Sequence, residues 1–424
     1  MSTILPTLAN LPRPLPEIPS RGSDHEHLPH VLKFSGGRSS AALAFLLAES
    51  GLLRAERGDV ILFANTSAEH PATYDFAREC KARLESDFGL PFLWFEFCTV
   101  EDARRGVYVR RPSYRLVTSN PVESDPRGYR SRGEVFEEML SYQGMLPNPH
   151  SRSCTAKLKL YPSHQLLAEW FGVGWGARHA GHHSTQRYVT PDLALVRYRR
   201  SGGTASDEAY LRRIECLTRQ PSSRPAQRWQ DYTAGRVSRP IGTPRLAAMW
   251  GSDATLHVTL LGLRADEEGR VRRILERSLF AEGAGSRRCS IRTQPPGERP
   301  CFPLVDWGFD EGAVRRFWHR RSFDLELPAT AGNCVFCFMK GTKAIGVSAR
   351  EADSMRVPGA PSDITWWVRM EQKYRREVPA RNGGGMTRFG FFGLRGPTFA
   401  ELAAAGGSDR DRYARGVPAC DCTD

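Results

Sequence analysis

The chain has 424 residues, 40% of them hydrophobic and 25% charged, and carries a net charge of +13. Such a length buries a full core and holds one large domain with additions, or two domains. No uninterrupted apolar run approaches the roughly 20 residues of a membrane helix, and the proline-rich start lacks the basic, then apolar, pattern of a signal peptide. These features predict a cytoplasmic protein with no membrane partner.

Residues 1–29 read as an extended arm. The stretch "HVLKFSGGRSSAALAFLLAESG" then predicts a strand, a glycine turn and a helix. Paired glycines let the backbone turn sharply, and the helix start that follows offers unsatisfied N–H donors and partial positive charge, which suit an anion. A Ser/Gly turn with an ordinary helix cap is the alternative. The turn is not of the GxxxxGK[ST] type, because no Lys-Ser/Thr pair follows the glycines.

"DVILFANTSAEHPATYDFARECKARLESDFG" repeats the order: a strand at 60–64, a polar turn, and a helix from Pro71 to Phe88. "PFLWFEF" predicts a third strand. Strands alternating with helices imply a parallel sheet covered on both faces, with the polar turns together at one edge. Further on, "YRSRGEVFEEMLSYQG" contains a helix, and "LPNPHSRSCTAKLKLYPSHQLLAEWFG" is a loop leading into another after Pro162. Residues 104–150 otherwise show no clear pattern.

Residues 176–250 read as an insertion into an α/β domain that spans 30–175 and resumes at 251–345. The insertion holds 13 arginines and five acids, a local net of 13 − 5 = +8. A basic loop region can gather a phosphate backbone, so nucleic acid is a candidate partner; a solvated insertion is the alternative. Arginine supplies 53 of the 60 basic residues, a bias that composition alone can produce. The strand at Thr255–Leu261 returns the chain to the sheet. A turn and helix follow in "FPLVDWGFDEGAVRRFWHRR", then a cysteine-bearing turn, "GNCVFCFMKG", and an amphipathic helix in "PSDITWWVRMEQKYRRE". Residues 346–424 are expected to be a helical region whose last forty residues are loose.

Ten cysteines in a long chain of this kind point to metal, cluster or redox roles rather than a disulfide framework. Cys334 and Cys337 form a CxxC between Gly332 and Gly341, the spacing of a metal-binding knuckle. Cys80, Cys98 and Cys216 read as packing residues. His179, His182 and His183 in "RHAGHH" read as a solvated loop.

Six segments in this order resemble the PAPS-reductase-like proteins (the phosphoadenosine phosphosulfate reductase family) of the PP-loop ATP pyrophosphatase superfamily, and most of all their phage- and plasmid-type branch. They are "FSGGRSSA", "LFANTSAEHPATYDFARECKARL", "LPNPHSRSCTAKLKLYP", "LLGLRADEEGRV", "FPLVDW" and "GNCVFCFMKG". The resemblance covers residues 30–175 and 255–345. It implies an α/β, adenine-nucleotide α hydrolase-like (Rossmann-like) fold in which Ser35, Gly36, Gly37, Arg38, Ser39 and Ser40 hold nucleotide phosphates. Ser39 stands where the family's common pattern has Asp, which keeps a backbone cradle but supplies no carboxylate there. The same resemblance puts Asn65 and Thr66 beside the nucleotide. It gives Arg152, Lys159 and Arg264 the role of cations for phosphate or sulfate, with Asp266 and Arg270 orienting Arg264.

Cys154 falls where cluster-bearing members of the family have a cysteine pair, with Thr155 at the second position. Cys154, Cys334 and Cys337 would then hold a [4Fe–4S] cluster with one open iron, or four thiolates would hold it with Cys301 or Cys289 added. Zn2+ is the alternative ligand, and buried thiols a third reading.

Two activities are expected from the resemblance. In the first, ATP, with Mg2+, adenylates a substrate, pyrophosphate leaves, and sulfur supplied by a donor protein replaces AMP, with nucleic acid as acceptor. In the second, a thiolate attacks the sulfur of PAPS or APS; Cys420 and Cys422 stand on a tail suited to that role, without the family's Glu-Cys-Gly-Ile-His motif. A nucleotide-binding regulator without catalysis is the third.

Overall fold

The structure is a computed structural model and describes residues 28–102, 109–149, 152–170, 257–274, 298–327, 332, 334–379, 386–394 and 396–405. Strand β1 (His30–Phe34), helix α1 (Arg38–Glu49), β2 (Val60–Asn65), α2 (Pro71–Phe88) and β3 (Phe92–Asp102) follow one another as two β-α-β units with parallel strands. Helix α2 is well delimited by its own residues. Pro71 occupies the first turn, the His70 ring accepts the Ala72 N–H, and Gly89 closes the helix in the left-handed conformation. Then come β4 (Val109–Pro121), β5 (Gly128–Tyr129), α3 (Glu134–Gln143), a π-helical stretch (Thr155–Leu160) and α4 (Tyr161–Trp170). After the basic segment, β6 (His257–Leu261), β7 (Glu298–Cys301) and α5 (Glu311–His319) complete the main body. Helices α6 (Thr342–Arg350) and α7 (Ile364–Tyr374), the hairpin β8 (Arg376–Pro379) and β9 (Met386–Phe389), and α8 (Phe399–Ala404) end the described chain.

The seven main strands form one sheet in the order β5-β4-β3-β2-β1-β6-β7. It is parallel throughout except where β4 runs antiparallel to β3. This is an α/β, Rossmann-like arrangement. The chain moves outward from β1 through β2 to β3, then returns on the other side of β1 with β6. That reversal makes the C-terminal ends of β1 and β6 the topological switch point, where such sheets bind ligands.

Alternation along the strands sends Leu32, Phe34, Ile61, Phe63, Phe92, Trp94, Val258 and Leu260 to one face, packed under α1, α2 and α5. Helix α1 is apolar nearly all round, with Ala41 to Ala48 buried, because it lies between the sheet and α5. The opposite face carries a second core, in which Phe97 and helix α3 meet Trp366 and Trp367 of α7 and Phe391 and Phe399 further on.

Two expectations change here. Residues 104–150 contain a thirteen-residue antiparallel strand, β4, which the sequence pattern does not announce. Residues 386–405, expected to be loose, hold β9 and α8. Their order comes from tertiary contacts: the buried Glu371 carboxylate accepts the Phe391 and Phe399 N–H groups at 3.3 and 2.7 Å. No described helix is long and apolar enough to cross a membrane.

Candidate functional site

At the end of β1 the chain enters Ser35–Gly36–Gly37. Gly36 has φ +81°, and a Cβ there would stand 2.7 Å from the Thr73 methyl and 3.2 Å from the Phe63 ring. Only glycine fits. Gly37 precedes α1 in extended conformation, and no side chain caps the helix start. The Ser40 hydroxyl accepts the Ser35 N–H and donates to the Gly37 carbonyl, both at 3.0 Å, so it holds the turn in shape.

Gly262, just after β6, approaches α1 so closely that a Cβ would lie 2.6 Å from the Ser40 Cα. This contact delivers Arg264 to the same spot. The Arg264 guanidinium reaches the Ser39 hydroxyl at 3.5 Å and is held by both Asp266 oxygens, at 2.9 and 3.0 Å. Burial opposes its charge, but the Asp266 hydrogen bonds and Glu267 more than offset this and raise its pKa. The same Arg264 fork is the chief reason Asp266 is held below its usual range. Arg270 pairs with Glu267, whose carboxylate also accepts the Arg264 N–H at 3.0 Å, so it acts on Arg264 through that acid. Arg38 turns away from the turn. Its side chain bonds Asp324 at 2.7 Å and the Leu325 carbonyl, leaving the first turn of α1 to backbone donors.

The turn after β2 lies beside this one. Asn65 donates to Glu96 at 2.8 Å and to the Arg130 carbonyl at 2.7 Å, and accepts from the Ser67 N–H and the Tyr74 hydroxyl. Its amide therefore shapes the turn from within. Ser67, at φ +59°, turns its hydroxyl to accept the Val135 and Phe136 N–H groups at the start of α3. Thr66 donates to the Glu69 carboxylate at 2.8 Å. Glu69 is buried, and burial raises its pKa against the opposing pull of Lys159 and Thr66.

Thr66 and Glu69 also line a cavity of about 30 Å³ together with Cys154, Lys159, Cys334 and Cys337, walled by Phe136, Phe338 and Trp367. The CxxC turn reaches the cavity because Cys334 pairs its backbone with Glu69. The buried Lys340 ammonium braces that turn by donating to the Val335 carbonyl at 2.9 Å.

Cys154 and Lys159 share the cavity for a local reason. Residues five apart stand about 140° apart around a regular α-helix of 3.6 residues per turn. The stretch 155–160 is instead π-helical, with the Tyr161 N–H bonded to the Ala156 carbonyl five residues back, which brings such residues onto one face. Arg152 precedes this stretch, half-buried, its carbonyl accepting the Thr155 N–H at 3.2 Å.

Cys154, Cys334 and Cys337 all line this one cavity. Among the described residues, no three His, Cys, Asp or Glu side chains come together in a way that could hold one metal ion.

Cys301 does not join them. It ends β7 and packs in the core under α1, on the other face of the sheet, with its thiol pKa pushed up to about 11 by burial. Cys80 and Cys98 are likewise buried packing residues. Cys216, Cys289, Cys420, Cys422, the three histidines at 179–183 and the basic segment 176–250 lie outside the described residues. Glu69 and Lys340 were missed in the sequence, although both stand in quoted motifs, "NTSAEH" and "FMKG". Nothing in those motifs says which side chains face inward.

No family model and no solved structure matches the chain. Among curated proteins, it is 21% identical over 337 residues to the uncharacterized nin region protein ORF290 of Escherichia phage lambda, an alignment covering 77% of this chain and 71% of the relative.

Proposed function

We propose that the chain is a PP-loop ATP pyrophosphatase that adenylates a substrate for sulfur transfer. The observation that carries this reading is the meeting, at one sheet edge, of a glycine-built turn suited to phosphate and a cavity lined by three cysteines and a lysine. ATP would seat its phosphates on the α1 start, where fixed N–H donors and the Asp266-held Arg264 stabilise charge that builds on phosphate oxygens. A substrate oxygen attacks the α-phosphorus, the bond to the bridging oxygen breaks, and pyrophosphate leaves with the electron pair. Mg2+ accompanies the nucleotide. Sulfur from a donor protein then displaces AMP, with nucleic acid held by residues 176–250 as the acceptor. Cys154, Cys334 and Cys337 would hold a [4Fe–4S] cluster, whose chemistry when bound is to present an open iron to sulfur. A cytoplasmic setting, which keeps thiols reduced, belongs to the same reading.

Lys159 in the cysteine cavity favours a second reading, sulfonucleotide reduction. There a thiolate attacks the sulfur of PAPS or APS, the nucleotide phosphate leaves, and an added thiol reductant releases sulfite. One assay separates them: anaerobically purified protein is given ATP, with and without nucleic acid, and PAPS with a thiol reductant. Pyrophosphate release stimulated by nucleic acid is expected. Sulfite from PAPS without pyrophosphate from ATP would replace the first reading by the second. ATP binding with neither product would leave a nucleotide-binding regulator.

A further inference from the structure

Helix α4 meets the sheet through polar groups as well as through Leu166 and Leu167. Ser163, His164 and His257 are buried there. Lys33 of β1 donates to the Ser163 hydroxyl at 2.9 Å, and the His164 ring stands 3.4 Å from Glu298 of β7. His257 of β6 lies opposite Glu298 in the strand register, and Thr259 donates to the same carboxylate at 2.5 Å. One acid therefore faces three basic groups. With one proton among Lys33, His164 and His257 the charges balance, and each further proton leaves a buried positive charge with no acid to meet it. Burial is the chief cause that holds both histidines below their ordinary range, His257 at about 3, with Glu298 opposing and Lys33 assisting.

The other elements packed against α4 supply no second acid among their described side chains. β3 and β4 bring Glu96, Cys98, Tyr114 and Arg115; Glu96 and Arg115 pair at 2.7 Å, and burial pushes the Cys98 thiol up to about 12. On β7, Arg299 alternates to the opposite face from Glu298. In the π-helical stretch, Lys157 lies over the Tyr161 ring at 4.8 Å and Lys159 lines the cysteine cavity. That stretch runs into α4 at Tyr161 without a break, so α4 and the segment carrying Lys159 move together.

We propose that this cluster is a pH-sensitive latch: in acid its histidines take up protons, α4 lifts from the sheet, and the π-helical stretch withdraws Lys159 and Cys154 from the cysteine cavity. Opened histidines titrate near the ordinary value of about 6.5, so the latch is closed above that pH and loosens as pH falls below it. The latch acts on how the cavity is assembled, whatever the cavity binds.

The test is hydrogen exchange of the full chain at pH 7.5 and 5.5, read by peptide mass spectrometry, with each rate divided by the intrinsic rate at its pH. Exchange in residues 155–167 is expected to rise about tenfold at the lower pH for each histidine that opens to water, while α2, on the other face of the sheet, keeps its protection. His164→Leu and His257→Leu remain apolar and take up no proton, so each should reduce the rise. Equal exchange of 155–167 at both pH values, loss of protection in α2 in step with α4, or the full rise in both variants would overturn the inference. The wild-type comparison of α4 with α2 decides the matter even where a variant does not fold.

Discussion

The phosphate-suited turn and the cysteine cavity lie at the same sheet edge but are built in different ways. The turn is made of backbone. Gly36, Gly37 and the approach of Gly262 define it, and its serines mostly bond one another or the main chain. The cavity is made of side chains brought from the β2–α2 turn, α3, the π-helical stretch, the CxxC turn and α7. A backbone site tolerates changes of polarity and fails when a Cβ is added. A side-chain site tolerates local backbone changes less and depends on every segment that supplies a wall. The two should therefore break under different substitutions.

The largest effect is expected from Gly36→Val. The left-handed backbone costs a β-branched residue upwards of about 1–2 kcal/mol, and overlap with Thr73 and Phe63 adds to it. ATP binding should be lost in calorimetry while the iron content proposed for the cysteine cavity stays at the wild-type level. Wild-type affinity in this variant would return the motif to a plain turn.

Cys334→Ser and Cys337→Ser test the opposite half. Each should abolish iron content and sulfur transfer with ATP affinity unchanged, and full iron in either variant would sink the cluster assignment.

Acid stability separates the faces of the sheet rather than the sites. Under α4, Lys33, His164, His257 and Glu298 form a buried polar cluster, with His164 3.4 Å from Glu298 and Lys33 bonded to Ser163 at 2.9 Å. Burial, with Lys33 and His164 adding to it against Glu298, lowers the His257 pKa to about 3. The unfolded chain takes up this proton near the ordinary value of about 6.5, so stability falls as pH drops through that value toward 3. Burial also lowers His164, while its neighbours hold Glu298 well below the usual carboxylate range despite burial, and both add in the same direction. Urea unfolding at pH 7.5, 6.0 and 5.0 should show a loss on the order of 1 kcal/mol per pH unit, smaller in His257→Leu. A flat profile would contradict it.

A smaller effect is expected from Asp266→Asn. The amide keeps one hydrogen bond to Arg264 but loses the charge, so ATP affinity should fall by several-fold, about 1 kcal/mol, with unfolding unchanged. An effect as large as that of Arg264→Ala would mean that Asp266 has a role beyond holding Arg264.

Much of this architecture is legible in the residues themselves. Apolar alternation and the caps around Pro71 and Gly89 announce β1, α1, β2 and α2 in order and place β2 and α2 to within about a residue, because local periodicity carries that information. The Ser-Gly-Gly turn is legible for the same reason: paired glycines followed by a helix pattern have few other uses. Strand β4 is not, since it is held by pairing with β3, a contact its own pattern does not encode.

What the tertiary structure alone decided is which candidates meet. Spacing cannot tell that Arg38 is taken by Asp324, that Cys301 faces the wrong side of the sheet, or that a π-helical turn aligns Cys154 with Lys159. The physical reason is one of range. A turn or a helix is determined by neighbours a few residues apart, while a cavity is the place where segments hundreds of residues apart, such as Glu69 and Cys334, close against each other.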